Sequence, residues 1–420
     1  MDGIKCNILF LFYTETGKYN ESMKKLNEQF VKPRYDEGGF AGIPDRVINA
    51  FKSEDYDAVV LFLVDGFGWR FYERFQDAAF IKRIARHGKI EKLTSQFPST
   101  TAAHLTTIHT GVPVGQSGVY EWYYYEPHVD AVIAPLMFSH AGTKVRNTLK
   151  RTKIESSLLY PRGIFYPQLR QMGVTPYVFG AHEYTPSTYS NAVMDGAELR
   201  GFKTLSESLV NLGELIKKQT HPIFVHMYFD KIDSLCHEYG PTSPQVETEI
   251  ETFLLMMEHY FERIFKGKKR ILFLMTADHG MSEVEPHTTT YLNTHSEFKG
   301  FEQFIKTNRK GKLIVPAGSA RDMFLYIKDD MLDEAQSFLA KRLEGRADVV
   351  KTEALINNGY FGAEVSSRFR ERVGNLVILS YWNESVWWYE KGKFEMKFYG
   401  HHGGLTPQEM ETILYSYVLG

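Results

Sequence analysis

Cysteine is nearly absent: the 420-residue chain holds two, Cys6 and Cys236. Two thiols build neither a disulfide framework nor a cysteine-rich metal site, so any metal must be held by histidine and carboxylates. A basic excess is missing too, since 49 lysines and arginines stand against 51 acidic residues, a formal net charge of −2. The sequence-independent part of binding to nucleic acid or an anionic membrane needs such an excess, and no nucleic-acid polymer is expected as a partner. Long apolar runs are the third absence. Unbroken stretches such as residues 58–64 reach about seven residues, against the roughly 20 of a spanning helix, so no membrane is expected either. The N-terminal run at residues 8–13 has no long apolar core with a cleavage site behind it, and the chain reads as cytoplasmic.

What is present is globular composition, 43% apolar and 24% charged. The length suits two to three domain-sized units or one large α/β domain with insertions. No repeat, low-complexity tract or Pro/Ser-rich linker marks a boundary, and nothing in the sequence sets an oligomeric state.

The strongest local pattern is a short apolar, β-branched or aromatic run that stops at a metal-competent residue. Residues 58–64 end at Asp65, residues 223–229 run out before Asp233, and residues 271–277 end at Asp278-His279. A fourth run, residues 394–399, alternates apolar and charged residues before Gly400-His401-His402. Runs apolar on both faces suit central strands covered by helices on each side. Helical spacers are expected at residues 71–87, 204–219 and 249–265. The expected fold is therefore an α/β sandwich with a central, mostly parallel sheet and helices on both faces. Residues 1–287 and 391–420 would form this core, and residues 288–390, with a different α+β pattern, a smaller inserted subdomain. A weaker insertion is expected at residues 121–160, which hold the aromatic run Trp122 to Tyr125. In open α/β sheets ligands bind beyond the carboxyl ends of the strands, so the four polar clusters should face one crevice.

Each cluster has a chemical reading. Asp233 and His237, four residues apart, share one helix face and could share a cation. Asp278-His279 places two metal-competent groups where a buried strand ends, a costly arrangement in a core. Gly66 after Asp65 permits a tight turn and close backbone approach to a ligand. His401-His402-Gly-Gly offers two imidazoles. In Phe97-Pro-Ser-Thr-Thr-Ala-Ala-His104, Pro98 keeps Phe97 extended, and Ser99, Thr100 or Thr101 either caps the following helix or supplies a nucleophile at its N-terminus. Together, three carboxylates, at least three histidines and a helix-start hydroxyl match a two-metal hydrolytic centre. With His and carboxylate ligands, zinc is the first expectation and manganese the second.

The ordered set Asp65-Gly, Phe97-Pro-x-x-Thr101, Asp233-x-x-x-His237, Thr276-x-Asp278-His279-Gly-Met281 and Gly400-x-His402-Gly resembles the alkaline phosphatase superfamily. More narrowly, it resembles the type I phosphodiesterase/nucleotide pyrophosphatase family, with similarity from about residue 57 onward. The resemblance implies an alkaline-phosphatase-like sandwich with two divalent metal ions. One would be held by Asp233, His237 and His402, the other by Asp65, Asp278 and His279 with Thr101 as exchangeable partner. Thr101 is implied as nucleophile by its place three residues after the proline, and His402 by the glycine that follows it. The implied activity is cleavage of a phosphodiester or pyrophosphate bond in a small phosphorylated substrate through a phospho-threonine.

Two departures stand out. The family's nucleotide-cleaving branch has an aromatic residue after the nucleophile, where this chain has Ala102, and an asparagine that binds a phosphoryl oxygen, where it has Trp122. Tyr184 and Tyr189 are alternative stacking groups, and His104 reads as a packed helix histidine. A phosphomonoesterase of the same superfamily is the alternative, with Arg70 as the candidate extra cation. A catalytically silent binding module on the same scaffold is the more distant one.

Overall fold

The computed structural model describes residues 26–265, 267 and 269–420; Cys6 and the run at residues 8–13 lie outside the described residues. Seven strands form the central sheet: β1 Ala58–Val64, β2 Lys89–Thr94, β3 Thr175–Ala181, β4 Glu198–Phe202, β5 Ile223–Phe229, β6 Ile271–Thr276 and β7 Glu411–Leu419. Their spatial order is β2-β7-β6-β1-β5-β3-β4. Strands β4, β3, β5, β1 and β6 run parallel, while β7 runs antiparallel between β6 and β2.

β1 forms at the centre because its residues are aliphatic or aromatic on both faces, and all seven are buried. Val59, Leu61 and Leu63 enter one core with the helices Ile43–Ser53, Thr101–Thr110 and Phe165–Gln171. Ala58, Val60, Phe62 and Val64 enter the other with Ala79–His87, Leu205–Lys218 and Pro244–Phe265. Burying a side chain of this kind contributes roughly 1.5–3 kcal/mol. Leu61→Asp would remove one such anchor and bury an unpaired charge.

A second, antiparallel sheet of four strands has the order Ala317–Gly318, Asp322–Leu325, Leu376–Ser380, Ala347–Lys351. Alternation serves two layers here as well. Phe324, Val377 and Leu379 join the first core, and Met323, Leu325 and Ile378 pack with Ala335 and Leu339 of the helix Leu332–Arg342. A fully buried ion pair ties this sheet to the main one. Arg321 Nε and Nη2 each donate to Glu409 at 2.9 Å, two residues before β7. Residues 121–160 hold a third, three-stranded sheet, Tyr124–Glu126, Ala131–Ala134 and Ser139–His140.

Three expectations need correction. Residues 394–399 form no strand: Phe394 and Met396 are buried in the core around the Leu332–Arg342 helix, so their alternation reports packing of an irregular segment. Gly400–His401, directly beyond it, pairs with Ser282–Glu283. The spacer at residues 71–87 is broken into Trp69–Phe75 and Ala79–His87, because Ala78 turns extended as the cap of the second helix. Finally, no side chain of Ser99, Thr100 or Thr101 caps the helix that begins at Thr101; Thr100 occupies the cap position without a capping bond.

Candidate active site

The parallel strands deliver their following residues to one sheet edge. Asp65 follows β1 directly, Asp278 and His279 follow β6, Asp233 and His237 lie on the helix Lys231–Tyr239 after β5, and Thr101 starts the helix after β2. β7 is antiparallel, so its beginning lies at that same edge and the loop before it brings His402 there. Gly66 has φ 73°, and a Cβ there would meet Asp233 Cα and Cβ at 3.2 Å, so glycine lets the first strand end pass the Lys231–Tyr239 helix.

The side chains assemble into two groups, Asp65/Asp278/His279 and Asp233/His237/His402, each with its ligand atoms within 4.8 Å of one another. His279 Nε2 lies 3.3 Å from Asp65 Oδ1 and 3.4 Å from Asp278 Oδ2. Asp233 has His237 Nε2 at 3.5 Å and His402 Nε2 at 3.6 Å. Thr101 Oγ1 lies 3.1 Å from His279 Nε2. The His279 and His402 rings stack with centroids 3.6 Å apart, so the groups adjoin.

All three imidazoles are oriented alike. His237 Nδ1 pairs with the Gly400 carbonyl at 2.8 Å, His279 Nδ1 with that of Gly280 at 3.0 Å, and His402 Nδ1 with that of Ser99 at 2.9 Å. A carbonyl can only accept, so Nδ1 carries the proton and the Nε2 lone pair faces the group. Asp65 Oδ1, Asp233 Oδ1 and Asp278 Oδ2 are buried without a hydrogen-bond partner among the described residues. Burial first, then the neighbouring carboxylates, pushes Asp65 well above the usual carboxylate range, and the same two causes bring Asp278 up to about 7. Burial and the surrounding imidazoles hold His402 well below its ordinary value. Orphaned oxygens and bare lone pairs converging this way fit divalent cations, whose charge would reverse the cost of ionising the carboxylates.

Residues outside the sequence-derived set support it. The Tyr228 hydroxyl donates to Asp65 Oδ2 from within a run that reads as plain strand. Ser99 joins the turn before Thr101 to the loop of His402: its Oγ donates to the Gly404 carbonyl at 2.8 Å and accepts from Gly403 N at 3.1 Å. Gly403, at φ 128°, is pressed so closely that a Cβ would lie 2.5 Å from Asp322 Oδ1 and Ser319 Oγ. None of these contacts has a sequence motif. His104 is structural: Nδ1 donates to the Thr100 carbonyl at 2.7 Å and Nε2 accepts from Gln96 N at 2.8 Å. Arg70, the candidate extra cation, is bonded through both terminal nitrogens to Glu283 at 2.7 and 2.5 Å. His401 belongs to neither group. Trp122, Tyr184 and Tyr189 line a cavity of about 210 Å³ that opens beside Thr101 and Asp233.

A mostly parallel seven-stranded sheet with this double group at one edge defines a protein of alkaline-phosphatase-type fold. The solved structure of murine ectonucleotide pyrophosphatase/phosphodiesterase 5, an inactive variant in complex with AMP, superposes with a TM-score of 0.63 at 14% identity, covering 87% of this chain and 88% of that one. Phosphonoacetate hydrolase from Sinorhizobium meliloti 1021 gives 0.58 at 17% identity, covering 86% and 90%. The chain belongs to the type I phosphodiesterase/nucleotide pyrophosphatase family, which matches residues 59–405. Human ectonucleotide pyrophosphatase/phosphodiesterase family member 7 is 23% identical over 293 residues, 64% of this chain, and the match spans 59% of that relative's length.

Proposed function

We propose that the protein hydrolyses a phosphodiester or pyrophosphate bond in a small phosphorylated substrate, with Thr101 as nucleophile. The observation that carries this reading is the Thr101 hydroxyl, at the first position of a helix and 3.1 Å from His279 Nε2, inside a group of buried, unpartnered carboxylate oxygens. Asp65, Asp278 and His279 would hold one divalent ion and Asp233, His237 and His402 the other, zinc in first place and manganese in second. When bound, two such ions stabilise negative charge on the attacking and leaving oxygens.

The chain's own part is positional and electrostatic. The helix N-terminus favours the Thr101 alkoxide, and the Nδ1–carbonyl bonds hold the imidazoles in register. Thr101 Oγ forms the new bond to phosphorus as the bond to the leaving oxygen breaks. Water then cleaves the phospho-threonine, returning the hydroxyl and releasing the phosphomonoester. Pairing of Arg70 with Glu283 counts against the phosphomonoesterase alternative, whose remaining candidate cation is Arg146 in the cavity lining.

The test is turnover of bis(p-nitrophenyl) phosphate, thymidine 5′-(p-nitrophenyl) phosphate and p-nitrophenyl phosphate by zinc- and manganese-loaded protein. Diesters should win by orders of magnitude, and Thr101→Ala should be inactive. A faster monoester would overturn the bond assignment; an active Thr101→Ala would overturn the nucleophile.

A further inference from the structure

The helix Thr101–Thr110 places Thr101, Leu105 and His109 at intervals of four residues, on one face, and all three line the cavity beside the candidate metal groups. At 1.5 Å per residue the path from Thr101 to His109 is about 12 Å long. The cavity is thus a slot along one helix, with the nucleophile at one end. Its lining is mostly apolar, with Leu105, Leu136, Val178 and Met194, and also carries Arg146 and Ser187.

The far end is polar. His109 is 1% exposed, with Nδ1 2.7 Å from the Tyr166 hydroxyl and its ring centroid 4.5 Å from that of His226. Its Nε2 has no hydrogen-bond partner among the described residues. Burial first, and then His226, hold His109 well below its ordinary value, so the ring is neutral and suited to an uncharged partner. Ala102, which follows Thr101, is fully buried in the core and is not part of the slot, so aromatic contact there falls to Trp122, Tyr184 and Tyr189, which line it.

Size completes the argument. A closed cavity of about 150 Å³ holds benzene; on that scale about 210 Å³ encloses roughly eight to ten non-hydrogen atoms, with the slot open beside Thr101 and Asp233. A nucleoside has about twice that number. Resting on the phosphodiesterase reading, we propose that the slot holds the alcohol arm that stays on phosphorus. It selects a compact, mostly apolar arm ending in an uncharged hydrogen-bonding group read by His109, in place of a nucleoside.

The experiment compares kcat/KM for p-nitrophenyl diesters whose second arm is 2-(4-hydroxyphenyl)ethyl, 2-phenylethyl, methyl or 5′-thymidyl. The hydroxyphenylethyl arm should exceed the phenylethyl arm by about tenfold, one neutral hydrogen bond's worth, and should also exceed the thymidyl arm. In His109→Leu the hydroxyl advantage should fall to about one, and His109→Gln, which keeps a hydrogen-bonding end, should restore part of it. Leu105→Trp, which fills the slot midway, should abolish the preference for either phenylethyl arm over methyl. Cooperative melting and metal content establish that each variant is folded. A preferred thymidyl arm, or a hydroxyl advantage that survives in folded His109→Leu, would overturn the proposal. So would diesters turned over without regard to the arm, which leaves the phosphodiesterase reading standing. If no diester reacts while the monoester does, that reading falls and the proposal falls with it.

Discussion

The two carboxylate–imidazole groups use the same kinds of side chain on different foundations. Asp65, Asp278 and His279 sit at the ends of two adjacent buried strands, with side chains 0–2% exposed. Asp233, His237 and His402 come from a helix turn and a loop, and their side chains are 9–18% exposed. A ligand at the end of a close-packed strand inherits the rigidity of the sheet. A ligand on a loop has only the fixity its neighbours supply, here Ser99, Ser319 and Asp322 around Gly403. On the proposed reading, the buried group would hold the nucleophile still and the more open one would face a leaving oxygen that differs between substrates.

This contrast can be broken by substitution. The largest expected effect is on chemistry: Thr101→Ala should lower kcat for a diester by at least about three orders of magnitude, with two metal equivalents retained on elemental analysis. Arg321→Met comes next, because it leaves Glu409 buried and unpaired. Its unfolding in denaturant should be easier by about 3–5 kcal/mol, and the loop of His402 should loosen before the buried group does.

Gly403→Ala is smaller and more pointed. With φ 128° and Asp322 Oδ1 in the way, the added methyl should cost about 1–3 kcal/mol. Metal titration should then show one weakened site and one unchanged; equal weakening of both would mean that the groups are not separately founded. The smallest effect is expected from Tyr228→Phe, which removes one hydrogen bond to Asp65. About 1 kcal/mol of stability should be lost in thermal melts of the metal-free protein, and less once metal restrains Asp65.

The same contrast explains what could be read in advance. β1 and β6 were legible because strands buried on both sides leave continuous apolar runs, and their ligands were legible because polar residues stop those runs abruptly. β2, with the sequence Lys-Ile-Glu-Lys-Leu-Thr, buries only Leu93 fully and reads as surface. β7 mixes Glu, Thr and Ser with apolar residues and lacks the continuous apolar run that marks β1. The carbonyl partners of the three imidazoles were invisible because backbone acceptors belong to every residue alike. Tyr228 was hidden for another reason: a hydroxyl at the end of an aromatic ring looks like part of a strand until its neighbour is known.

The antiparallel β7 carries one more consequence. It lies between β6 and β2, and among the described residues it is the strand through which β2 joins the central sheet. During synthesis β7 is made last, and until it pairs with β6 and β2 the turn bearing His402 lacks its anchor on the sheet. A nonsense codon inside residues 411–419 would therefore spare every candidate ligand in the gene product and still leave the centre unassembled.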